Sequence, residues 1–210
     1  SMFAKSVMIP KEKCISIQTT ESVQTALEVL EKNKIDALPV LENGIYKGSL
    51  NRYIAYRAFY YSGLNKDEFL ATTSLLDVVT REDNYLSIDD VFENSLVQLN
   101  DFPIIAVVEE NKFLGLVTRY DTMEQFRGAF GMDKPGVRIS FTSVETEGRI
   151  ARVGDIIQKF HESVISLVTF DETDKLLRRI VLKIEKRDNV QKFLKELDKS
   201  GFRVLAIQED

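Results

Sequence analysis

The 210-residue sequence holds one cysteine, one histidine, four prolines and no tryptophan. Cys14 alone rules out an internal disulfide and suits a reducing cytoplasm, the expected compartment. His161 by itself cannot build a histidine metal site, and no cysteine cluster replaces it. A serine–histidine catalytic pair would have to recruit His161, which falls late in an amphipathic segment where a surface or packing role is the ordinary one. No apolar run approaches membrane-span length, so no membrane insertion is expected, and no signal peptide is visible. Ser1 reads as a cloning remnant ahead of a native start at Met2. The net charge of −5 comes without a basic block, which disfavours nucleic acid as a partner and leaves room for a local basic pocket that takes a small anion. Paired carboxylates in catalytic spacing, a nucleophile–base pair and a metal cluster are all missing, so neither enzyme activity nor a cofactor is expected. Asp89-Asp90 and Glu109-Glu110 stand at a helix start and a turn, where capping or solvation accounts for them.

What is present is a soluble globular composition, 44% apolar and 29% charged, long enough for one large domain or two to three small ones. One stretch organises it: Gly115-Leu116-Val117-Thr118-Arg119-Tyr120-Asp121, an apolar strand end that delivers a hydroxyl, a guanidinium and a carboxylate to a helix start. Such a junction offers donors to a phosphate and acceptors to a ribose, with the helix N-terminus adding partial positive charge. It is equally an ordinary strand-to-helix turn with Asp121 as N-cap.

The stretch has an earlier counterpart. At one constant offset and without gaps, Leu38–Gly48 lies over Ile105–Gly115, Arg52-Tyr53 over Arg119-Tyr120 and Phe59 over Phe126. A matching turn, glycine and basic–aromatic pair mark an internal β-α-β-β-α repeat. In the first copy a short helical or turn segment at Val7–Pro10 and a strand at Cys14–Ile17 lead to a helix from Val23, strands at Ile35–Leu41 and Ile45–Leu50, and a helix at Tyr53–Tyr61. The second has an entry at Leu75–Val79, a strand at Tyr85–Ile88, a helix at Asp89–Leu99, strands at Pro103–Val108 and Lys112–Val117, and a helix at Thr122–Phe130. One copy is too small to bury both faces of its sheet, so the two should pack together. Two glycines and a proline in Gly131–Gly136 then mark a linker. Beyond it come a strand at Val137–Val144, an amphipathic helix at Gly148–His161, a strand at Ser163–Phe170, a turn at Asp171–Asp174, a strand at Arg178–Ile184, a helix at Val190–Leu197 and a strand at Phe202–Ile207. That order is the ferredoxin-like βαββαβ layout. The expected fold class is α+β, with segments 2–66, 67–130, a linker at 131–136, and 137–210.

The tandem units, with their Leu-Pro-Val strand and the ending Gly115, Thr118, Asp121, resemble a pair of CBS domains. The resemblance implies an adenine-nucleotide site in the cleft between the copies, where the Thr hydroxyl and Asp carboxylate hold ribose or phosphate. The first copy departs from the pattern, with Asn51 and Ile54 in place of Thr and Asp, so one competent site is expected rather than two. Transferred residue by residue, the site comprises Lys13, Cys14, Ile15, Asp36, Ala37 and Leu38 on one wall and Thr118, Arg119 and Asp121 on the other. Lys13 and Arg119 supply cations for phosphate, and Ile15, Ala37 and Leu38 an apolar face for adenine. As ordinary residues, Lys13 would be a solvated loop lysine and Ile15 and Leu38 simply core. The lysine before the first strand, the Ala-Leu-Pro-Val word, Thr118-Arg119 and the insert at Tyr60–Phe69 are similar to bacterial CBS proteins that bind cyclic di-AMP. That makes cyclic di-AMP the leading ligand and AMP, ADP or ATP the second. The words Gly148-Arg-Ile-Ala-Arg-Val and Gly201-Phe-Arg-Val resemble an ACT domain, a combination also found in acetoin-utilisation-type proteins. The loop Glu145–Gly148 lacks the Asp and Pro frequent there, so an assembly role stands beside amino-acid binding. Together the resemblances imply a regulatory homodimer, pairing through both CBS and ACT domains, that relays nucleotide binding to a partner protein. A structural dimeriser without a ligand is the alternative.

Overall fold

Short polar side chains set the helix starts in the repeat. The computed structural model describes residues 3–144, 148–172 and 177–210. The first copy runs α1 (Ala4–Val7), β1 (Ile9–Pro10), β2 (Ile17–Gln18), α2 (Val23–Asn33), β3 (Ala37–Glu42), β4 (Ile45–Asn51) and α3 (Arg52–Ser62), and α4 (Lys66–Thr72) follows. The second runs β5 (Tyr85–Leu86), α5 (Leu96–Asp101), β6 (Ile104–Glu109), β7 (Lys112–Thr118) and α6 (Arg119–Ala129). Ser22, Asn51 and Asn65 open α2, α3 and α4, each side chain accepting an amide three residues on at 3.0, 2.8 and 2.9 Å. The repeat holds to the residue: Ala37 and Ile104, Ile45 and Lys112, and Arg52 and Arg119 begin matching elements at the same offset. The matching strands also share one burial pattern, position for position.

The strands form one sheet in the order β2-β3-β4-β7-β6-β5, with β1 added on β7. Three apolar clusters hold it. Leu30, Leu38, Val40 and Leu50 lie in the core of copy one, and Leu86, Leu99, Ile105 and Val117 in that of copy two. A third draws on both copies through Leu41, Tyr46, Phe102, Ile104 and Phe113. A fully buried leucine contributes roughly 1.5–3 kcal/mol, so this shared cluster binds the copies strongly.

Three local expectations are corrected. Ile9 and Pro10 are a strand and not part of a helical or turn segment, because they pair antiparallel with Leu116 and Gly115 at an edge where proline loses no needed donor. The strand expected at Cys14–Ile17 shrinks to Ile17–Gln18, since Lys11–Lys13 wind into a 3₁₀ turn. The helix expected from Asp89 begins later, because the Asp90 carboxylate accepts the Ser87 amide at 2.8 Å and closes a turn first, followed by a 3₁₀ turn at Phe92–Ser95.

Each copy's entry segment leans on the other copy's hairpin. A Cβ on Gly115 would lie 2.2 Å from the Ile9 carbonyl oxygen, and one on Gly48 3.0 Å from that of Thr80. The glycines on which the repeat rests therefore admit a crossing chain.

The chain divides between Met123 and Glu124 into two compact units. The second contains β8 (Val137–Val144), α7 (Arg149–Lys159), β9 (Val164–Glu172), β10 (Leu177–Ile184), α8 (Val190–Lys199) and β11 (Arg203–Glu209). Its antiparallel sheet has the order β11-β8-β10-β9, which with the βαββαβ sequence is the expected ferredoxin-like layout. The core joins Ile139, Phe141, Ile180 and Leu182 of the sheet to Val153, Ile156, Phe193 and Leu197 of the helices. Ile150, expected on the buried face of α7, is partly exposed instead. The 145–147 part of the loop before α7 and the last two residues of the turn expected at Asp171–Asp174 lie outside the described residues. Asp171 and Glu172 belong to β9.

Residues 131–136 are tightly packed within this unit. Lys183 on β10 is fully buried, and its ammonium donates to the carbonyl oxygens of Gly131 at 2.8 Å and of Lys134, and to the Asp210 carboxylate at 3.0 Å. A Cβ on Gly131 would meet Ile165 at 2.7 Å.

Glu162 is also buried, and neither carboxylate oxygen has a hydrogen-bond partner among the described residues. Burial pushes its carboxyl above the usual range, against the opposing pull of Arg187. A raised carboxyl favours the neutral form in the folded state, so its contribution is lost as pH rises past the ordinary value. Glu162→Gln is expected to raise the melting temperature of this unit at pH 7 by about 3 °C, a gain that vanishes near pH ~4. Thermal melts at the two pH values check this.

Candidate functional site

The crossing of β1 over β7 brings the entry segment of copy one against the polar end of copy two. Between them lies a cleft of about 440 Å³. One wall is Lys13, Cys14 and Ile15, continued by Lys34 to Ala37 at the start of β3. The other is the end of β7 with Thr118, Tyr120 and Asp121, and Pro103 and Ile104 open β6 beside it.

Thr118, and not Asp121, caps α6. Its hydroxyl accepts the Asp121 amide at 3.0 Å and donates to Asp121 Oδ2 at 2.9 Å. This reciprocal arrangement fixes the carboxylate in the first helical turn on the cleft wall. Asn51 performs the same capping in copy one, but Ile54 stands where Asp121 does and packs into the apolar clusters. Copy one keeps the cap and lacks the acceptor. In the entry segment of copy two, Arg81 lies over the Phe102 ring at 5.3 Å from its centroid.

Two expected site residues point elsewhere. Arg119 does not line the cleft: its Nε donates to the Leu99 carbonyl at 2.7 Å and Nη2 to that of Asn100 at 3.5 Å. Arg52 likewise donates to the Ile35 carbonyl at 2.9 Å and pairs with Glu31 at 3.4 Å. The repeated arginine is thus a staple for carbonyls at or just beyond a helix C-terminus. Leu38 is fully buried in the core of copy one, because adjacent strand residues face opposite sides and Ala37 takes the cleft side. Lys13, Cys14, Ile15, Asp36, Ala37, Thr118 and Asp121 all line the cleft as expected.

Sequence reasoning passed over Lys34, Ile35, Tyr120, Pro103 and Ile104. The last two are the second-copy counterparts of Asp36 and Ala37, so applying the repeat to the site itself would have found them. Tyr120, inside the signature turn, presents a largely exposed ring.

Chemically the cleft is an apolar slot, with Ile9, Ile15, Ile35, Ala37, Ile104 and Leu116, edged by charge. Lys13 and Lys34 bring cations, and Asp36 and Asp121 carboxylates. The Cys14 thiol donates to the Ile9 and Pro10 carbonyls at 3.3 Å each, and burial pushes its pKa up to about 11. It is a neutral wall residue and not a nucleophile. Apolar faces, a tyrosine ring, fixed acceptors and two ammonium groups suit a base, a ribose diol and phosphate. Among the described residues no cluster of His, Cys, Asp or Glu could hold a metal, and no helix is long and apolar enough to cross a membrane.

Residues 4–58 match the CBS domain family model. Solved structures are similar to this chain over a longer span. A CBS domain-containing protein of unknown function from Bacillus anthracis is 26% identical with a TM-score of 0.53, the match covering 60% of this chain and 94% of that one. A conserved hypothetical protein from Geobacillus kaustophilus is 25% identical with a TM-score of 0.54, covering 60% and 96%. CbpB from Listeria monocytogenes, solved in complex with c-di-AMP, is 25% identical with a TM-score of 0.51, covering 57% and 91%. The CBS match takes in Lys13–Ile15 and Asp36-Ala37, one whole wall of the cleft.

Proposed function

We propose that this chain is a non-enzymatic regulatory protein that binds an adenine nucleotide, cyclic di-AMP foremost, in the cleft between its two CBS-like copies. The observation that carries the reading is the Thr118–Asp121 pair, a fixed carboxylate facing an apolar slot that also holds Lys13. The slot takes the base, Asp121 accepts from the ribose hydroxyls, and lysine meets phosphate. The likeness to CbpB, whose structure contains c-di-AMP, supports that ligand ahead of AMP, ADP or ATP. Because its walls come from both copies, a ligand would bridge them and favour one packing of the pair, the shift that a cytoplasmic homodimer would pass to a partner protein. The second unit, with its ACT-like order of elements, serves assembly in this reading.

The single acceptor favours one cleft per chain. Calorimetric titration is expected to give one nucleotide bound per chain and the tightest binding with cyclic di-AMP. Asp121→Ala should weaken it at least ~10-fold, the loss typical of one charge-assisted hydrogen bond. Tighter binding of AMP or ATP would transfer the site to a mononucleotide. No response to any of them would leave a ligand-free dimeriser.

A further inference from the structure

Lys34 ends α2 in a conformation that is unusual for lysine. Its φ and ψ are 52° and 43°, the left-handed region where glycine and asparagine are at ease and a side chain with a Cβ is strained. The repeat does not demand it: Asp101, its counterpart in the second copy, is the last residue of α5, and the chain leaves through an extended Phe102. The turn is closed by the Ile35 amide on the Leu30 carbonyl at 3.1 Å, and it sets Lys34 on the wall of the cleft.

Lys34 lines the cleft together with Lys13, and neither ammonium has a hydrogen-bond or ion-pair partner among the described residues. Arg119, the cation of the signature turn, is committed to the Leu99 and Asn100 carbonyls. The cleft therefore offers two free lysines as its cations, on separate segments of chain. Lysine acts on phosphate as a compact point charge, so two of them suit two separate phosphates. A lysine at a helix C-terminus also complements the helix dipole, but that role concerns stability and not a ligand.

We propose that Lys34 is the second phosphate-binding cation of the cleft, and that with Lys13 it favours a ligand carrying two separated phosphates over a mononucleotide. This assignment rests on the reading of the cleft as a nucleotide site. Lys34→Asn and Lys34→Gly remove the charge and suit the left-handed backbone, so melting temperatures should stay level or rise. Calorimetry on the full chain at low salt, with cyclic di-AMP and with AMP, tests the assignment. Lys34→Asn is expected to weaken cyclic di-AMP about 10-fold and to leave AMP within about twofold, with the difference shrinking as salt screens the charge. Unchanged cyclic di-AMP affinity in both variants, or equal losses for the two nucleotides, would overturn it. Wild-type protein that binds neither nucleotide would overturn the nucleotide reading itself, and this assignment with it.

Discussion

Lys183→Met is expected to destabilise the second unit by about 3 kcal/mol, read as a lower urea midpoint of its unfolding. Methionine keeps the buried stem filled and deletes only the ammonium, so packing changes little. What is lost is the group that satisfies the Gly131 and Lys134 carbonyls and holds the Asp210 carboxylate. A buried acceptor left without a donor costs more than the bond contributed while formed. The same pair gives a pH signature. The hydrogen bond from Lys183 holds the Asp210 carboxyl below its ordinary value. A lowered carboxyl stabilises the fold above the ordinary pKa and loses that contribution as pH falls through the acid range. The gap between wild type and variant should therefore narrow below pH ~4. A gap that stays constant with pH would remove Asp210 from the clamp.

Gly115→Ala should cost about 3 kcal/mol or more and abolish nucleotide binding, because the added methyl would sit against backbone and not against a yielding side chain. At 2.2 Å from the Ile9 oxygen, the new Cβ forces β1 off β7. Lys13, Cys14 and Ile15 follow directly on that strand, so a wall of the cleft moves with it. Gly44→Ala is the control. That turn glycine has φ 83° and nothing within 4 Å of a built Cβ, so its change should cost only about 1–2 kcal/mol of backbone strain and spare the cleft. Denaturant melts and calorimetry on the two variants separate crowding from conformational strain. Equal behaviour would mean that the crossing does not position the site.

The repeat was legible because it is written in local chemistry. A hairpin turn, a glycine and an Arg-Tyr pair recur at one offset, and the hairpin strands and closing helices obey that offset residue for residue. The Thr118–Asp121 turn was legible from its own strand-to-helix chemistry, whereas the cleft wall at Asp36-Ala37 came only with the resemblance to CBS domains. Arg119 was not, since an arginine after a strand serves phosphate and helix-end carbonyls equally well, and only the position of α5 decides between them. Leu38 was a matter of parity: with Ala37 on the cleft, the next residue had to enter the core. Gly131–Gly136 carries the composition of a linker, but its glycines create the room for Ile165 and Ile184 to approach. Composition does not distinguish looseness from close approach.

The pairing of Ile9 with Leu116 also sets an order of assembly. These residues lie far apart in the sequence, so the contact closes most of the first unit into a single loop, whose entropic cost precedes its reward. During synthesis the hairpin of β3 and β4 can form early, whereas the entry segment must wait, unpaired, until β7 has emerged. Lys13 and Asp121 share one cleft only when that loop is closed. The cleft thus belongs to the slow, non-local part of folding, and a chain interrupted before β7 would hold a sheet and half a wall, with no site.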